Sequence, residues 1–299
     1  MTMPTIAMYG RKIEKENIPT VMELFHKLRN CQCPILIHSA FEKTLKQNLS
    51  LDFDYTLFEP NSSLQGKADY LFSIGGDGTL LSSVSYIKGS EIPIVGVNIG
   101  RLGFLSSIPR EEISKAIEYI LQGKFHLDKR NMIEVYEADG KKLDHALNDV
   151  TLSKTDSSSM ISIELEVNGT YFNTYWADGL IISTPTGSTA YNLSCGGPLV
   201  SPECNVFIIT PIAPHNLHIR PFVLDDNADL LLKIKSRSGK FLLAIDSASE
   251  RKSENTQIKL RKAPFHINLL RLSTDEYINT LRTKMLWGTD TRNDTKFAH

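Results

Sequence analysis

Ala68-Asp-Tyr-Leu-Phe-Ser-Ile74-Gly75-Gly76-Asp77-Gly78-Thr79-Leu80-Leu81-Ser82-Ser83-Val84 sets a strand against a helix across three glycines and one carboxylate. Glycine lets the backbone turn tightly and approach a ligand closely. Backbone N–H groups at the start of the following helix would point at an anion such as phosphate. An acid in the middle of such a turn repels phosphate unless it binds metal or takes a proton. The combination points to phosphoryl transfer rather than simple nucleotide binding. The plainer reading is an ordinary glycine-rich turn with a solvated Asp. No Lys-Ser/Thr follows at Walker A spacing, and the run is not G-x-G-x-x-G.

Outward from this junction, strands and helices alternate over the first ~125 residues. Thr5 to Tyr9, Pro34 to His38, Tyr70 to Ile74 and Ile92 to Val97 read as strands. Thr20 to Leu28, Ala40 to Leu49, the run after Gly75 to about Ile87, and the segment from Pro109 to Gly123 read as helices. That alternation predicts a doubly wound, Rossmann-like α/β domain on a parallel sheet. After Gly123 the pattern becomes short β-branched and aromatic runs: 131–136, 149–152, 161–167, 171–176, 179–183, 207–210, 230–234, 241–245, 257–261 and 266–271. Asn168-Gly169 is a two-residue hairpin signal. The second half is expected to be all-β and sandwich-like, with Leu270 to Leu286 returning to the first domain as a helix. The expected domains are 1–126 plus 275–299, and 127–274.

The 299 residues carry 33 basic and 34 acidic side chains, a balance that leaves no electrostatic footprint for nucleic acid or an anionic membrane. No run approaches the ~18 apolar residues of a transmembrane helix. The N-terminus shows no secretory pattern. Cys31, Cys33, Cys195 and Cys204 form neither a disulfide framework nor a zinc pattern, so they read as reduced thiols. These features predict a cytoplasmic protein.

Three further stretches carry chemistry. Asn148-Asp149 is a polar pair at the start of an apolar strand, costly to bury without partners, or else a turn. Trp176-Ala-Asp178-Gly leads into Ser183-Thr-Pro-Thr-Gly-Ser-Thr-Ala-Tyr191-Asn-Leu-Ser-Cys-Gly-Gly-Pro198, a loop dense in hydroxyls and glycine. It suits a polar ligand, with Tyr191 able to stack on a flat ring; the alternative is a surface loop. Thr210-Pro-Ile-Ala-Pro-His215 is a rigid loop that either aims His215 at a ligand or leaves it solvated. Gly96-Val-Asn-Ile-Gly100-Arg-Leu-Gly103-Phe104 imitates a dinucleotide fingerprint but leads into no helix. The other histidines show no metal-ligand spacing, and no Ser sits in a hydrolase elbow.

Taken in order, these stretches resemble the NAD kinase family over roughly residues 69 to 250. Gly75–Thr79 alone is shared with lipid kinases. Asn98 to Leu105, Asp178-Gly with Ser183 to Tyr191, Gly196-Gly-Pro and Thr210 to His215 narrow the likeness. The resemblance implies transfer of phosphate from ATP to the 2′-hydroxyl of the adenosine ribose of NAD, giving NADP. It implies Asp77 as proton acceptor and a phosphate cradle at Gly75, Gly76, Gly78 and Thr79. Asn148 and Asp149 would hold adenine and ribose, and Phe104 and Tyr191 would flank flat rings. Thr189, Ala190, Asn192, Leu193 and Ser194 would contact the dinucleotide, with Asp178, Ala213 and His215 completing the site. It implies no dedicated metal ligands, Mg²⁺ arriving with ATP, and a homodimer or homotetramer. Asp246-Ser247 departs from the family's second Asp-Gly, Ala248 replaces a frequent Gln, and Ser82 stands where many members carry a basic residue. Rival readings are a diacylglycerol or sphingosine-type lipid kinase, which leaves the Asp178–Tyr191 stretch unexplained, and a non-catalytic NAD(P) sensor, which has no need of Asp77.

Overall fold

The computed structural model describes residues 3–60, 62–100, 103–106, 108–156, 159–274 and 276–287. The chain divides into two compact units, one running to Asp128 and resuming at Asn268, the other Lys129–Ile267.

In the first unit five parallel strands stand in the order Thr56–Phe58, Ile35–His38, Ile6–Gly10, Tyr70–Gly75 and Ile94–Asn98. Leu269 pairs with Ile94 on the far side, and the short Ile108–Pro109 strand pairs with Val97 and Asn98. Ile6–Gly10 and Ile94–Asn98 are buried at every residue, as strands of a sheet covered on both faces are. Ile18–Asn30 carries Pro19 in its first turn and buries Val21, Leu24, Phe25 and Leu28. Ile113–Leu121 buries Ile113, Ala116, Ile117 and Ile120, and both stripes join the strand side chains in one core. Winding reverses between Ile6–Gly10 and Tyr70–Gly75. In open parallel sheets that reversal leaves a ligand-sized crevice at the carboxyl ends of the two strands, here Gly10 and Gly75.

The helix after the glycine turn is shorter than its sequence pattern. It spans Asp77–Ser83 and passes into a 3₁₀ turn at Val84–Tyr86. The hydroxyls of Ser82 and Ser83 bond back to the carbonyls of Gly78 (3.0 Å) and Leu80 (2.7 Å), a competition that weakens a regular helix. The helix expected from Pro109 begins instead with a 3₁₀ turn at Arg110–Glu112.

The second unit is a β-sandwich. One sheet runs Phe222–Asp225, Val206–Ile212, Gly179–Ser183, Asp149–Lys154, Lys240–Ile245 and Ala248–Ser253, all antiparallel. The facing layer pairs Thr170–Ala177, Ile161–Val167, Leu230–Lys235 and Ile258–Arg271, the last continuing along the chain into the first unit. Lys142–Ala146 pairs with His126–Glu137. Val150, Leu152, Leu180, Ile182, Phe207 and Ile209 meet Ile161, Ile163, Leu165, Leu230 and Leu232 in a single core. Asn168 and Gly169 both have positive φ (50° and 76°), as a type I′ hairpin requires. The runs 257–261 and 266–271, expected as two strands, are joined in one, Ile258–Arg271. The C-terminal helix is Glu276–Met285 rather than a helix from Leu270. No described helix is long and apolar enough to cross a membrane.

Candidate active site

The expected site residues fall into two groups, one in each unit. In the first, Gly75 ends its strand with φ +154°, and a Cβ there would lie 2.3 Å from Thr79 Oγ1, so only glycine fits. Gly76 caps the helix, its carbonyl accepting the amides of Thr79 (2.9 Å) and Leu80 (3.1 Å). The Thr79 amide is therefore spent inside the turn, and what Thr79 offers outward is its hydroxyl.

Asp77 is not a free carboxylate. Its Oδ2 accepts the Phe104 amide at 2.7 Å, and its Oδ1 accepts those of Leu105 and Ser106 at 3.0 and 2.9 Å. Gly103 leads into this contact so closely that a Cβ would stand 1.9 Å from Asp77 Oδ1. Behind the same loop, buried Arg271 donates to the carbonyls of Phe104 (3.3 Å) and Leu105 (3.1 Å) and to Asp128 (3.2 Å). Asn98 adds a bond from its amide to Ser106 O (3.3 Å) and accepts the Gly100 amide at 2.8 Å. Phe104 is thereby held by its backbone on both sides, and Lys284 sits 4.6 Å from its ring centroid. Arg101 and Leu102 of the Asn98–Leu105 element lie outside the described residues.

The second unit repeats the device. Half-buried Asp246 accepts three consecutive amides, Leu147 on Oδ2 at 2.8 Å and Asn148 and Asp149 on Oδ1 at 2.8 and 3.1 Å. Its own amide donates to Asp149 O at 3.0 Å, from a backbone with φ +49°. The carbonyls of the same segment are held as well. Leu147 O accepts Thr184 Oγ1 (2.5 Å), and Asn148 O accepts the Thr184 amide (2.9 Å) and Ser183 Oγ (3.3 Å). With its backbone engaged, Asn148 has its half-buried side chain left to offer a ligand.

Asp149 itself is 6 % exposed. Burial first, then the Asp246 charge, push its carboxyl up to about 6, against a smaller pull from the Thr151 hydroxyl at 3.1 Å. Asp246 is also pushed up by burial, while its three amides pull it down.

The hydroxyl-rich stretch wraps onto this segment. Gly187 packs so tightly that a Cβ would be 2.2 Å from Asn148 O. Arg130, 2 % exposed, braces the stretch through Thr186 Oγ1 at 3.2 Å. Thr189, Ala190, Tyr191, Leu193 and Ser194 are half-buried or exposed, the Tyr191 ring at 45 %. Asn192 departs from the expected role of ligand contact. It is wholly buried, its Nδ2 bonded to Ser188 O (3.2 Å) and Pro198 O (3.1 Å), its Oδ1 to Thr210 Oγ1 (2.6 Å). It braces the loop, because its neighbours engage both ends of the amide. Asp178 pairs with Lys154 at 2.7 Å. Ala213 is exposed with φ +45°, a conformation that side-chain-bearing residues rarely adopt. His215 is exposed, and its amide donates to Trp176 O at 2.8 Å.

Sequence reasoning passed over Arg271, Arg130 and the bracing role of Asp246. An Asp in the tight turn that follows the apolar Lys240–Ile245 strand is the signal the sequence offers for the last.

Comparison with known proteins follows the two units. A family model described as the ATP-NAD kinase N-terminal domain matches residues 6–125, and one described as the ATP-NAD kinase C-terminal domain matches 147–272. The chain is 44% identical over 291 residues to an NAD kinase of Cytophaga hutchinsonii, covering 96% of this chain and 99% of that one. It is 40% identical over 290 residues to an NAD kinase of Bacteroides fragilis, with the same coverage. Among solved structures, yeast NADH kinase complexed with NADH superposes with a TM-score of 0.86 at 22% identity, over 99% of this chain and 91% of that one. An NAD kinase from Archaeoglobus fulgidus in complex with ATP gives 0.73 at 22%, over 93% and 99%. At that identity the two structures speak for the fold.

Proposed function

The chain belongs to the NAD kinase family, and on that premise we propose that it transfers a phosphoryl group from ATP to the 2′-hydroxyl of the adenosine ribose of NAD, forming NADP. The observation that carries the reading is the Gly75–Thr79 turn at the reversal point of the parallel sheet, with its carboxylate held in fixed orientation by three amides. Phosphoryl transfer asks the protein chiefly for positioning and charge placement. Gly75, Gly76 and Gly78, with the Thr79 hydroxyl, line the donor phosphates. Of the four acceptor positions of the Asp77 carboxylate, three are taken, leaving one on Oδ2. That position accepts the ribose hydroxyl proton late in the transfer, when a weak base suffices. A divalent ion enters on ATP, where it takes phosphate and water oxygens.

In the second unit Asn148 and Asp149 hold the adenosine half of NAD, Asp149 as acceptor for hydroxyl donors. Tyr191 offers its exposed ring for stacking, alongside Thr189, Ala190, Leu193 and Ser194, with Asp178, Ala213 and His215 at the margin. In the first unit Phe104 offers its ring for stacking. The chain assembles as a homodimer or homotetramer in the cytoplasm. Exposed Phe172, Phe222 and Val223, the two rings 4.9 Å apart, and Leu217 at 82 % exposure support assembly.

The test is NADP formation from NAD, ATP and Mg²⁺, read by coupling to an NADP-specific dehydrogenase. Absence of NADP with a folded protein refutes the proposal, and phosphorylation of diacylglycerol in parallel would move the chain to the lipid kinases.

A further inference from the structure

We propose that Arg11 is a phosphate-binding residue for the nucleotide donor and that Ser82 positions it. The proposal rests on the kinase reading above and adds to it a positive charge that the glycine turn does not carry.

Arg11 is the first residue beyond the Ile6–Gly10 strand, and Gly10 pairs in register with Ile74, one residue before Gly75. The two strand ends therefore stand side by side at the sheet's reversal point, where ligands of such sheets bind. The Arg11 guanidinium donates through Nη2 to Ser82 Oγ at 2.5 Å, and Ser82 Oγ donates in turn to Gly78 O at 3.0 Å. An exposed arginine is thus tied across to the helix that begins at Asp77.

The choice of partner matters. A hydroxyl fixes the guanidinium without neutralising it. Among the described residues no carboxylate lies within ion-pair distance of Arg11, whereas the adjacent Lys12 pairs with Glu14 at 2.9 Å. Guanidinium carries five N–H donors in a planar fork suited to phosphate oxygens. One is spent on Ser82, and the rest stay free for an anion beside Gly75–Thr79. The alternative role is purely structural, a tie between strand end and helix.

Arg11→Gln and Arg11→Ala are compared with Lys12→Ala, which removes the same charge one residue away. ATP affinity is read directly by displacement of a fluorescent ATP analogue, and KM for ATP and for NAD are read separately. Loss of charge-assisted phosphate contacts predicts roughly 10–100-fold weaker ATP binding in both Arg11 variants. KM for NAD, the melting temperature and Lys12→Ala are expected to stay within about twofold or 2 °C of the parent on the scale of unperturbed surface changes. The double variant Arg11→Ala with Ser82→Arg returns a guanidinium to the same spot and is expected to regain at least tenfold of the lost affinity. A structural tie would instead lower stability, raise both KM values together and gain nothing from Ser82→Arg, and that result overturns the proposal. ATP affinity unchanged in Arg11→Gln overturns it as well. Should the parent bind ATP but form no NADP, the kinase reading falls while the binding comparison still decides the role of Arg11.

Discussion

Replacing Asp149 with Asn should make the protein more stable and less active at once, and the gain should depend on pH. The Asp149 carboxyl ionises near 6 in the fold against 3.8 in the unfolded chain, driven by burial and by the Asp246 charge. A group whose pKa is raised by folding stabilises the fold fully below its unfolded value and loses that contribution as pH rises through the folded value. The window is about pH 4 to 6, and the loss across it is about 3 kcal/mol. Asn keeps the shape and still accepts the Thr151 hydroxyl, but it never charges. Asp149→Asn should therefore match the parent near pH 4 and exceed it by about 3 kcal/mol at pH 7.5. At ~2–4 °C per kcal/mol, that is a rise of roughly 6–12 °C in Tm of the second unit. The assay is thermal unfolding of both proteins from pH 4 to 8, with KM for NAD alongside. KM should rise at least about tenfold, since a carboxylate accepting ribose hydroxyls is replaced by a neutral amide. A gap that stays constant over the pH range, or a variant less stable than the parent at pH 7.5, refutes the reasoning.

Asp246→Asn turns an NH₂ group toward at least one of three amide donors. It should cost about 2 kcal/mol in urea unfolding and raise KM for NAD, while lowering the pH at which Asp149 titrates because the neighbouring charge is gone. Gly187→Ala drives a Cβ to 2.2 Å from Asn148 O and should raise KM for NAD more than tenfold with kcat at saturation less affected; an unchanged KM would contradict the packing. Gly103→Ala and Asp77→Asn both disturb the clasp between Asp77 and residues 104–106, but only the second removes the carboxyl acceptor. Turnover should fall by about 10²-fold or more in Asp77→Asn beyond whatever Gly103→Ala costs, and equal losses would reduce Asp77 to a positioning role.

The α/β half was legible because its signals are local: apolar runs of strand length, amphipathic helices, and a glycine turn whose acid makes no sense unless used. The hairpin at Asn168-Gly169 was legible for the same reason. What escaped the sequence depends on partners far along the chain. Asp246 is one residue in a tight turn, and its use is visible only once Leu147, Asn148 and Asp149 are brought to its oxygens. Ala248–Ser253 and Phe222–Asp225 are edge strands, free of the alternation that burial imposes on central ones, so their polar or mixed sequences carried no period. At Asn192 the sequence does not separate a ligand contact from a brace, because a buried brace and an exposed donor are the same letter. Only Thr210 Oγ1 at 2.6 Å and Gly197, whose Cβ would collide with Asn192 Oδ1 at 1.9 Å, distinguish them.

Asp77 and Asp246 solve one problem in two folds. A loop that must present side chains to a ligand cannot place its own amides in a ladder, and three successive N–H groups turned inward need an acceptor. A hydroxyl or a carbonyl offers two lone pairs, whereas a carboxylate offers four in one plane. One Asp therefore holds residues 104–106 and another holds 147–149, and each loop is ordered before substrate arrives, so binding does not pay to order it. The two differ in their neighbours. Both are half-buried and both keep one acceptor position on Oδ2, but the charge of Asp246 is felt by Asp149 as an upward push on its carboxyl, whereas Asp77 stands among the glycines of its turn. A carboxylate that orders a loop with three of its positions can accept a proton with the fourth without losing its place, which is why the acid belongs inside a turn built to hold phosphate.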